Sequence, residues 1–192
     1  MNYFKHESAY VDDNCVIGEG TKIWHFSHIQ SGAKIGKKCV FGQNVNVGNN
    51  VSIGDFCKVQ NNVSIYEGVT LEDFVFCGPS MVFTNILDPK CMYPQVGVQY
   101  YVKTLVKKGA SIGANATIVC GITLGRHCLI GAGSVVTKEV PDFALVVGVP
   151  GKILGWVSEA GKRLNFDKDR FAYCDKSKKK YQFKDDLVIE IE

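Results

Sequence analysis

The chain has 192 residues, of which 46% are hydrophobic and 21% charged, and its net charge at pH 7 is +3. This charge is too small to favour nucleic acid as a partner, and the length fits one compact domain with a small appendage. The first ten residues lack the apolar segment of a secretory signal, and no stretch approaches the ~18 apolar residues of a membrane span. We therefore expect a cytoplasmic protein with no membrane partner.

Apolar residues recur every six positions from Val11 to Phe83, and again from Val106 to Val136. Small or β-branched residues occupy a second register four positions later. A period of six fits neither an α-helix nor a long alternating strand. It predicts short strands joined by tight turns, three of which close one coil of about 18 residues. The second register makes four cysteines small core residues, as expected in a reducing compartment: Cys15, Cys39, Cys57 and Cys128.

From Phe83 to Val106 is 23 residues, which is not a multiple of six. An extra segment must therefore leave the coil between about residues 84 and 105. Long loops inside a regular scaffold are often functional, although a tolerated surface insertion is the alternative.

Residues 18 positions apart should stack on neighbouring coils, roughly 4.8 Å apart. Hydrogen-bonding side chains fill several of these columns, as a sugar nucleotide would require. The alternative is that they only satisfy the backbone of the turns. The candidate substrate-binding residues are His25, His28, Gln43, Asn44, Asn61, Asn62 and Glu67.

The repeat resembles the left-handed parallel β-helix of the hexapeptide acyltransferases over residues 9 to 155. The resemblance implies an all-β fold with three-sided coils over residues 1–151, one protruding loop, and an appendage over residues 152–192. In that family the loop reaches over the site of a neighbouring subunit, which implies a homotrimer.

One subgroup is closer, as judged from Trp24-His25-Phe26, Gln60-Asn61-Asn62-Val63-Ser64, Phe76-Cys77-Gly78-Pro79-Ser80 and Val147-Gly148-Val149-Pro150. These stretches resemble the bacterial UDP-2-acetamido-3-amino-2,3-dideoxyglucuronate N-acetyltransferases, and are similar also to the dTDP-3-amino-3,6-dideoxyhexose N-acetyltransferases. Both make sugars for surface polysaccharides such as the O-antigen of lipopolysaccharide. The loop of this chain, with Asp88-Pro89-Lys90, is longer than that of the glucuronate enzymes, so the exact sugar stays open.

The resemblance also implies roles for individual residues. Asn85 matches the asparagine at the reacting amine, where it would orient the amine or stabilise the oxyanion. Acetyl-CoA would lie along the last coils, with its pantetheine near Ala114 and Ala132 and its phosphates near Lys138 and Lys152. No metal is implied.

The tail after Pro150 predicts a short helix over residues 152–161, followed by a small zinc-ribbon-like hairpin. Cys174 is the single thiol there, too few for a structural zinc site, so we expect a metal-free remnant. The basic run of Lys176 and Lys178 to Lys180 fits a solvated face or turn.

Two other classes of function remain on the same fold. A γ-type carbonic anhydrase needs three histidines around zinc. His25 and His28 could supply two, but Gln43 and Asn46 occupy the places one coil away where a third would stand. A non-enzymatic scaffold or ice-binding surface needs flat rows of threonine, whereas these columns are mixed. Release of CoA in the presence of amino sugars would separate the acetyltransferase from both.

Overall fold

The computed structural model describes residues 2–191, which form short parallel strands wound into about eight coils. The coils have three flat faces, which we call A, B and C in the order in which the chain visits them. The architecture is that of a hexapeptide-repeat left-handed β-helix, as predicted.

Each face is a sheet in which successive coils contribute successive strands. Face A contains β1 (Phe4–Lys5), β4 (Lys22–Ile23), β7 (Val40–Phe41), β10 (Lys58–Val59), β13 (Phe76–Cys77), β16 (Ser111–Ile112), β19 (Leu129–Ile130), β21 (Ala144–Val147) and β22 (Lys152–Trp156). Face B contains β2 (Tyr10–Val11), β5 (His28–Ile29), β8 (Asn46–Val47), β11 (Ser64–Ile65), β14 (Val82–Phe83), β17 (Thr117–Ile118) and β20 (Val135–Val136). Face C contains β3 (Val16–Ile17), β6 (Lys34–Ile35), β9 (Ser52–Ile53), β12 (Val69–Leu71), β15 (Thr104–Val106) and β18 (Thr123–Leu124).

The two predicted registers fill the interior. The large apolar register points inward, with Ile23, Ile29 and Phe41 fully buried. The small register lies beside it at the corners, and its polar members bond to the neighbouring coil. The Thr21 hydroxyl, for example, donates to the Gly36 carbonyl at 2.9 Å and accepts the Cys39 N–H at 3.0 Å. Side-chain hydroxyls therefore join coils through the core as the strand ladders join them at the surface.

The corners connect the faces in turn. Corner AB leads from face A to face B, corner BC from face B to face C, and corner CA from face C back to face A. Left-handed backbone positions recur there, including Asn44, Asn62 and Asn115 with φ of 57°, 62° and 56°. Asparagine tolerates this conformation better than most residues, which explains its frequency at these turns.

The break in the repeat is a loop at corner BC, spanning residues 84–103 between β14 and β15. Across it, Cys77 pairs with Ile112, 35 residues later, whereas Val59 pairs with Cys77 at the regular spacing of 18. The loop contains a 3₁₀ helix (Val98–Tyr100) and exposes several large apolar side chains. The coil resumes in register below it, so the insertion does not disturb the faces.

The predicted short helix at residues 152–161 is wrong. Lys152–Trp156 forms strand β22, which runs antiparallel to β21 and closes the end of face A. The open edge of a sheet presents unpaired N–H and C=O groups, and a strand satisfies them where a helix would not. The remaining strands are β23 (Phe171–Cys174), β24 (Lys179–Lys184) and β25 (Leu187–Ile191), which form an antiparallel sheet around a second small core that includes Tyr181. No helix within residues 2–191 is long and apolar enough to cross a membrane.

Candidate active site

Corner AB carries one group of the predicted residues. His25, Gln43 and Asn61 occupy the same position on successive coils, and Ala114 and Ala132 occupy it further down. The backbone is closely packed in the lower part, because a Cβ added to Gly113 would lie 2.5 Å from the Ala132 nitrogen. Ala114 is half-buried and Ala132 is exposed, so the small side chains at this corner leave the backbone of the last coils accessible.

The upper part of corner AB is a shallow polar pocket of about 280 Å³. Its lining includes Trp24, His25, Gln43, Lys58, Gln60 and Asn61. The His25 ring stacks on His6, with ring centroids 3.6 Å apart. The repeat predicts no role for His6, because this residue precedes it, but the pairing of β1 with β4 brings His6 beside His25. Rings, amides and one lysine together offer stacking and hydrogen bonding to a ligand.

Several amides at this corner also make hydrogen bonds within the protein. Asn61 Oδ1 accepts the Gln43 N–H at 2.9 Å, as Asp55 Oδ1 does for Lys37 at corner CA. Asn44 and Asn62 occupy left-handed positions, and Asn44 Nδ2 donates to Asn62 Oδ1 at 3.1 Å. These bonds fix the turns, and a role of the same amides in substrate binding stays a prediction.

His28 lies on the outer surface of face B and pairs with a carboxylate. Its Nε2 is 2.7 Å from Asp12 Oδ1, and the other oxygen of Asp12 accepts the Ser31 N–H at 3.1 Å. The stacking of residues 18 positions apart does not predict this contact with Asp12, because the contact runs diagonally between a corner and a strand. The carboxylate engages one ring nitrogen and so orients the imidazole.

Corner BC carries the second group, at the root of the loop. Asn85 Nδ2 donates to the Glu67 carbonyl at 3.3 Å, and Val102, near the end of the loop, donates its N–H to the Asn85 carbonyl at 2.8 Å. Glu67 Oε1 accepts Asn50 Nδ2 at 2.9 Å. Because the Asn85 amide nitrogen is engaged, its Oδ1 is left to accept a hydrogen bond from a ligand.

The two predicted phosphate-binding lysines do not come together. Lys138 is exposed just after β20, at corner BC, whereas Lys152 is exposed on β22, opposite Val147 at the corner AB end of β21. One face of the prism separates them, so on a single chain they would contact different parts of a cofactor.

Other reactive side chains lie away from both corners. Burial raises the pKa of the Cys77 and Cys128 thiols to about 12, so both stay protonated. His127 is a turn residue at corner CA, where its ring stacks on Phe143 and burial lowers its pKa. Within residues 2–191, no three His, Cys, Asp or Glu side chains lie close enough to hold a metal ion.

Stacked six-residue repeats with polar corners are typical of one class of proteins, and two family models of such repeats match parts of this chain. The model described as bacterial transferase hexapeptide (six repeats) matches residues 14–49 and 103–138, on either side of the loop. The hexapeptide repeat of succinyl-transferase matches residues 32–67. Hexapeptide repeats of the bacterial transferase type therefore occupy the coils on both sides of the loop.

Individual relatives match parts of the chain. The dTDP-3-amino-3,6-dideoxy-alpha-D-galactopyranose 3-N-acetyltransferase of Aneurinibacillus thermoaerophilus is 45% identical over 89 residues, which are 46% of this chain and 45% of the relative. The bifunctional protein GlmU of Nitratidesulfovibrio vulgaris is 31% identical over 156 residues, covering 74% of this chain and 32% of the relative. The match thus spans less than half of either relative.

Solved structures share the fold. A hexapeptide-repeat containing acetyltransferase of Vibrio cholerae O1 biovar eltor, complexed with acetyl coenzyme A, superposes with a TM-score of 0.56 and 26% identity over 66% of this chain and 72% of that chain. The GDP-perosamine N-acetyl transferase of Caulobacter crescentus, solved as a mutant with CoA and GDP-perosamine, has a TM-score of 0.50 and 23% identity over 80% and 58% of the two chains.

Proposed function

We propose that the protein transfers the acetyl group of acetyl-CoA to an amino group on a nucleotide-linked sugar. The observation that carries the proposal is Asn85, whose amide is fixed at the root of the loop with Oδ1 free to accept an N–H from the substrate amine. The similarity to a sugar 3-N-acetyltransferase and to an acetyltransferase complexed with acetyl coenzyme A supports the same reaction.

The reaction needs little beyond alignment. The neutral amine attacks the thioester carbonyl carbon, an N–C bond forms, and the C–S bond breaks as the tetrahedral intermediate collapses. Asn85 holds the amine so that its lone pair faces the carbonyl carbon. The departing CoA thiolate takes the proton that the nitrogen loses, which gives the amide and free CoA.

The His28–Asp12 pair lies too far away to act as the base. His28 is three coils above the coil of Asn85, which corresponds to about 14 Å at the usual spacing of strands. A trimer with its threefold axis along the β-helix keeps every residue at the same height on each subunit, so a partner's His28 would be no closer. We assign His28, His25 and the amides of corner AB to the nucleotide end of the substrate.

The two groups of residues lie six positions apart along the coil, on opposite edges of face B. A single chain therefore presents the amine-positioning residue and the pantetheine-binding backbone at different corners. In a homotrimer, corner BC of one subunit faces a neighbour, and the loop extends over it. We propose that each site lies between two subunits of a homotrimer.

The specific substrate we propose is UDP-2-acetamido-3-amino-2,3-dideoxyglucuronate, for surface polysaccharide synthesis in the cytoplasm. A dTDP-3-amino-3,6-dideoxyhexose is the second candidate, and the 45% identical relative favours it. In both sugars the amine is at C3, so the assignment of Asn85 is common to them.

The test is CoA release, followed with a thiol reagent, over a panel of UDP- and dTDP-linked amino sugars. We expect Asn85→Ala to lower kcat by about 100- to 1,000-fold, the usual effect of losing a polar group that acts in the transition state. Asn49→Ala is the matched control, because Asn49 occupies the same column two coils above and should leave the rate unchanged. Failure of every sugar to release CoA would refute the proposed function.

A further inference from the structure

An open pocket of about 400 Å³ lies between the base of the loop and corner BC, and it is distinct from the pocket at corner AB. Its polar lining consists of Asn50, Glu67, Thr70, Tyr101 and Lys103, and Val98 adds an apolar surface. Two of these side chains come from the coils at corner BC, one from face C, and the others from the returning end of the loop. The pocket is therefore a consequence of the insertion.

The local backbone brings the loop close to the coil. Gly68 has φ of 99°, and the Thr104 N–H donates to its carbonyl at 3.0 Å. A Cβ at residue 68 would lie 3.7 Å from the Tyr101 Cβ, in ordinary contact, but L side chains rarely adopt this φ. Glycine at this position thus lets the chain turn towards the loop and form one wall of the pocket.

The pocket contains one acidic and one basic side chain, Glu67 and Lys103, and their surroundings differ. The Glu67 carboxylate accepts a hydrogen bond from Asn50, and the main-chain carbonyl of the same residue accepts one from Asn85. Lys103 is exposed and lies within 4 Å of no carboxylate in the described part of the chain. A ligand that carries an amine and a carboxylate on one small ring would satisfy both.

We propose that this pocket binds the sugar ring, that Glu67 contacts the 3-amino group, and that Lys103 binds a carboxylate at C6. The inference rests on the proposed function and narrows it to the amino uronates. Asn85 adjoins Glu67, so an amine at Glu67 is within reach of the group that orients it. A 6-deoxy sugar offers only a methyl group to Lys103 and would leave the ammonium without a partner. Tyr101 and Val98 cover the apolar side of the ring.

An anion at Lys103 could also be the diphosphate, which every candidate substrate carries. The two sources differ in what they predict. A lysine that binds the carboxylate discriminates between a uronate and its 6-deoxy counterpart, whereas a lysine that binds phosphate affects both equally.

The experiment compares Lys103→Gln with the unmodified enzyme on two substrates, a 3-amino uronate and a 3-amino-6-deoxyhexose, each linked to UDP. We expect kcat/KM for the uronate to fall about 10- to 100-fold, mainly through KM, because a charge-assisted hydrogen bond is lost from both the bound substrate and the transition state. The 6-deoxy substrate should change less than twofold, and Lys103→Arg should restore most of the uronate activity.

Two further variants complete the design. Lys90→Gln removes an exposed lysine of the same loop that does not line the pocket, and should have no effect. Glu67→Gln should lower kcat/KM for both substrates, because both carry the amine. If Lys103→Gln lowered kcat/KM equally for both substrates, or did not lower it at all, the carboxylate assignment would be overturned while acetyl transfer would stay intact. Absence of CoA release from the unmodified enzyme with both substrates would instead refute the proposed function.

Discussion

Thr104 provides a direct test of how hydroxyls are used in the core. It occupies the small register at the start of β15, aligned with Val69, and is 2% exposed. Its hydroxyl is the one buried side-chain polar atom within residues 2–191 that has no hydrogen-bond partner. Burying an unpaired hydroxyl costs about 1–3 kcal/mol, and valine has nearly the same shape. We expect Thr104→Val to raise the free energy of unfolding by about 1–2 kcal/mol.

The matched control is Thr21→Val at another corner. The Thr21 hydroxyl makes two bonds between coils, so the same substitution leaves a half-buried carbonyl and a buried N–H unpaired. We expect a loss of about 1–3 kcal/mol there. Thermal and denaturant unfolding, followed by circular dichroism, should show Tm rising by about 2–8 °C for Thr104→Val and falling for Thr21→Val. If both variants were destabilised to the same extent, the Thr104 hydroxyl would have a partner and the reasoning would be wrong.

Three other predictions concern stability. Cys57→Ser should change the free energy of unfolding by less than about 1 kcal/mol, because a hydroxyl can repeat the bond from Sγ to the Glu72 carbonyl. Cys57→Leu should lower the free energy of unfolding by about 1–3 kcal/mol, because it overpacks the core. Gly36→Ala should prevent regular stacking, since its Cβ would lie 2.6 Å from the backbone of the next coil, whereas Gly133→Asn should be tolerated where nothing lies within 4 Å. Burial raises the pKa of Cys174, but hydrogen bonds from serine hydroxyls and backbone N–H groups lower it to about 7, below the ordinary value of a cysteine thiol. The free energy of unfolding should therefore rise between pH 7 and pH 9 in the unmodified protein, and this rise should be absent in Cys174→Ser.

The fold follows from the sequence to an unusual extent because each coil has the same simple requirement. One large apolar residue must fill the interior on each face, and a small one must fit beside it. Ile53, Val59 and Ile65 satisfy this in turn, so the period alone locates the faces, the core and the break at residue 84.

Contacts that cross the repeat could not be predicted in the same way. The pairing of His28 with Asp12 depends on how corner and strand side chains meet. Lys179, which the sequence suggested was solvated, bonds Glu159 at 2.7 Å and Glu190 at 2.8 Å. Both carboxylates reach it only after the tail has folded, and the same tertiary context makes residues 152–156 a strand.

The proposed site between subunits has a quantitative consequence. Asn85→Ala removes the amine-positioning group at corner BC, and Ala132→Tyr would block the backbone of corner AB, so each variant alone should be inactive. If one site takes corner BC from one subunit and corner AB from its neighbour, random mixed trimers of the two variants at equal amounts should regain about one quarter of the unmodified activity. This fraction arises because each corner is intact with a probability of one half. Co-expression with two affinity tags, followed by the CoA-release assay, measures it. If both corners of a site belonged to one chain, every chain would carry a defect and the mixed trimers would stay inactive.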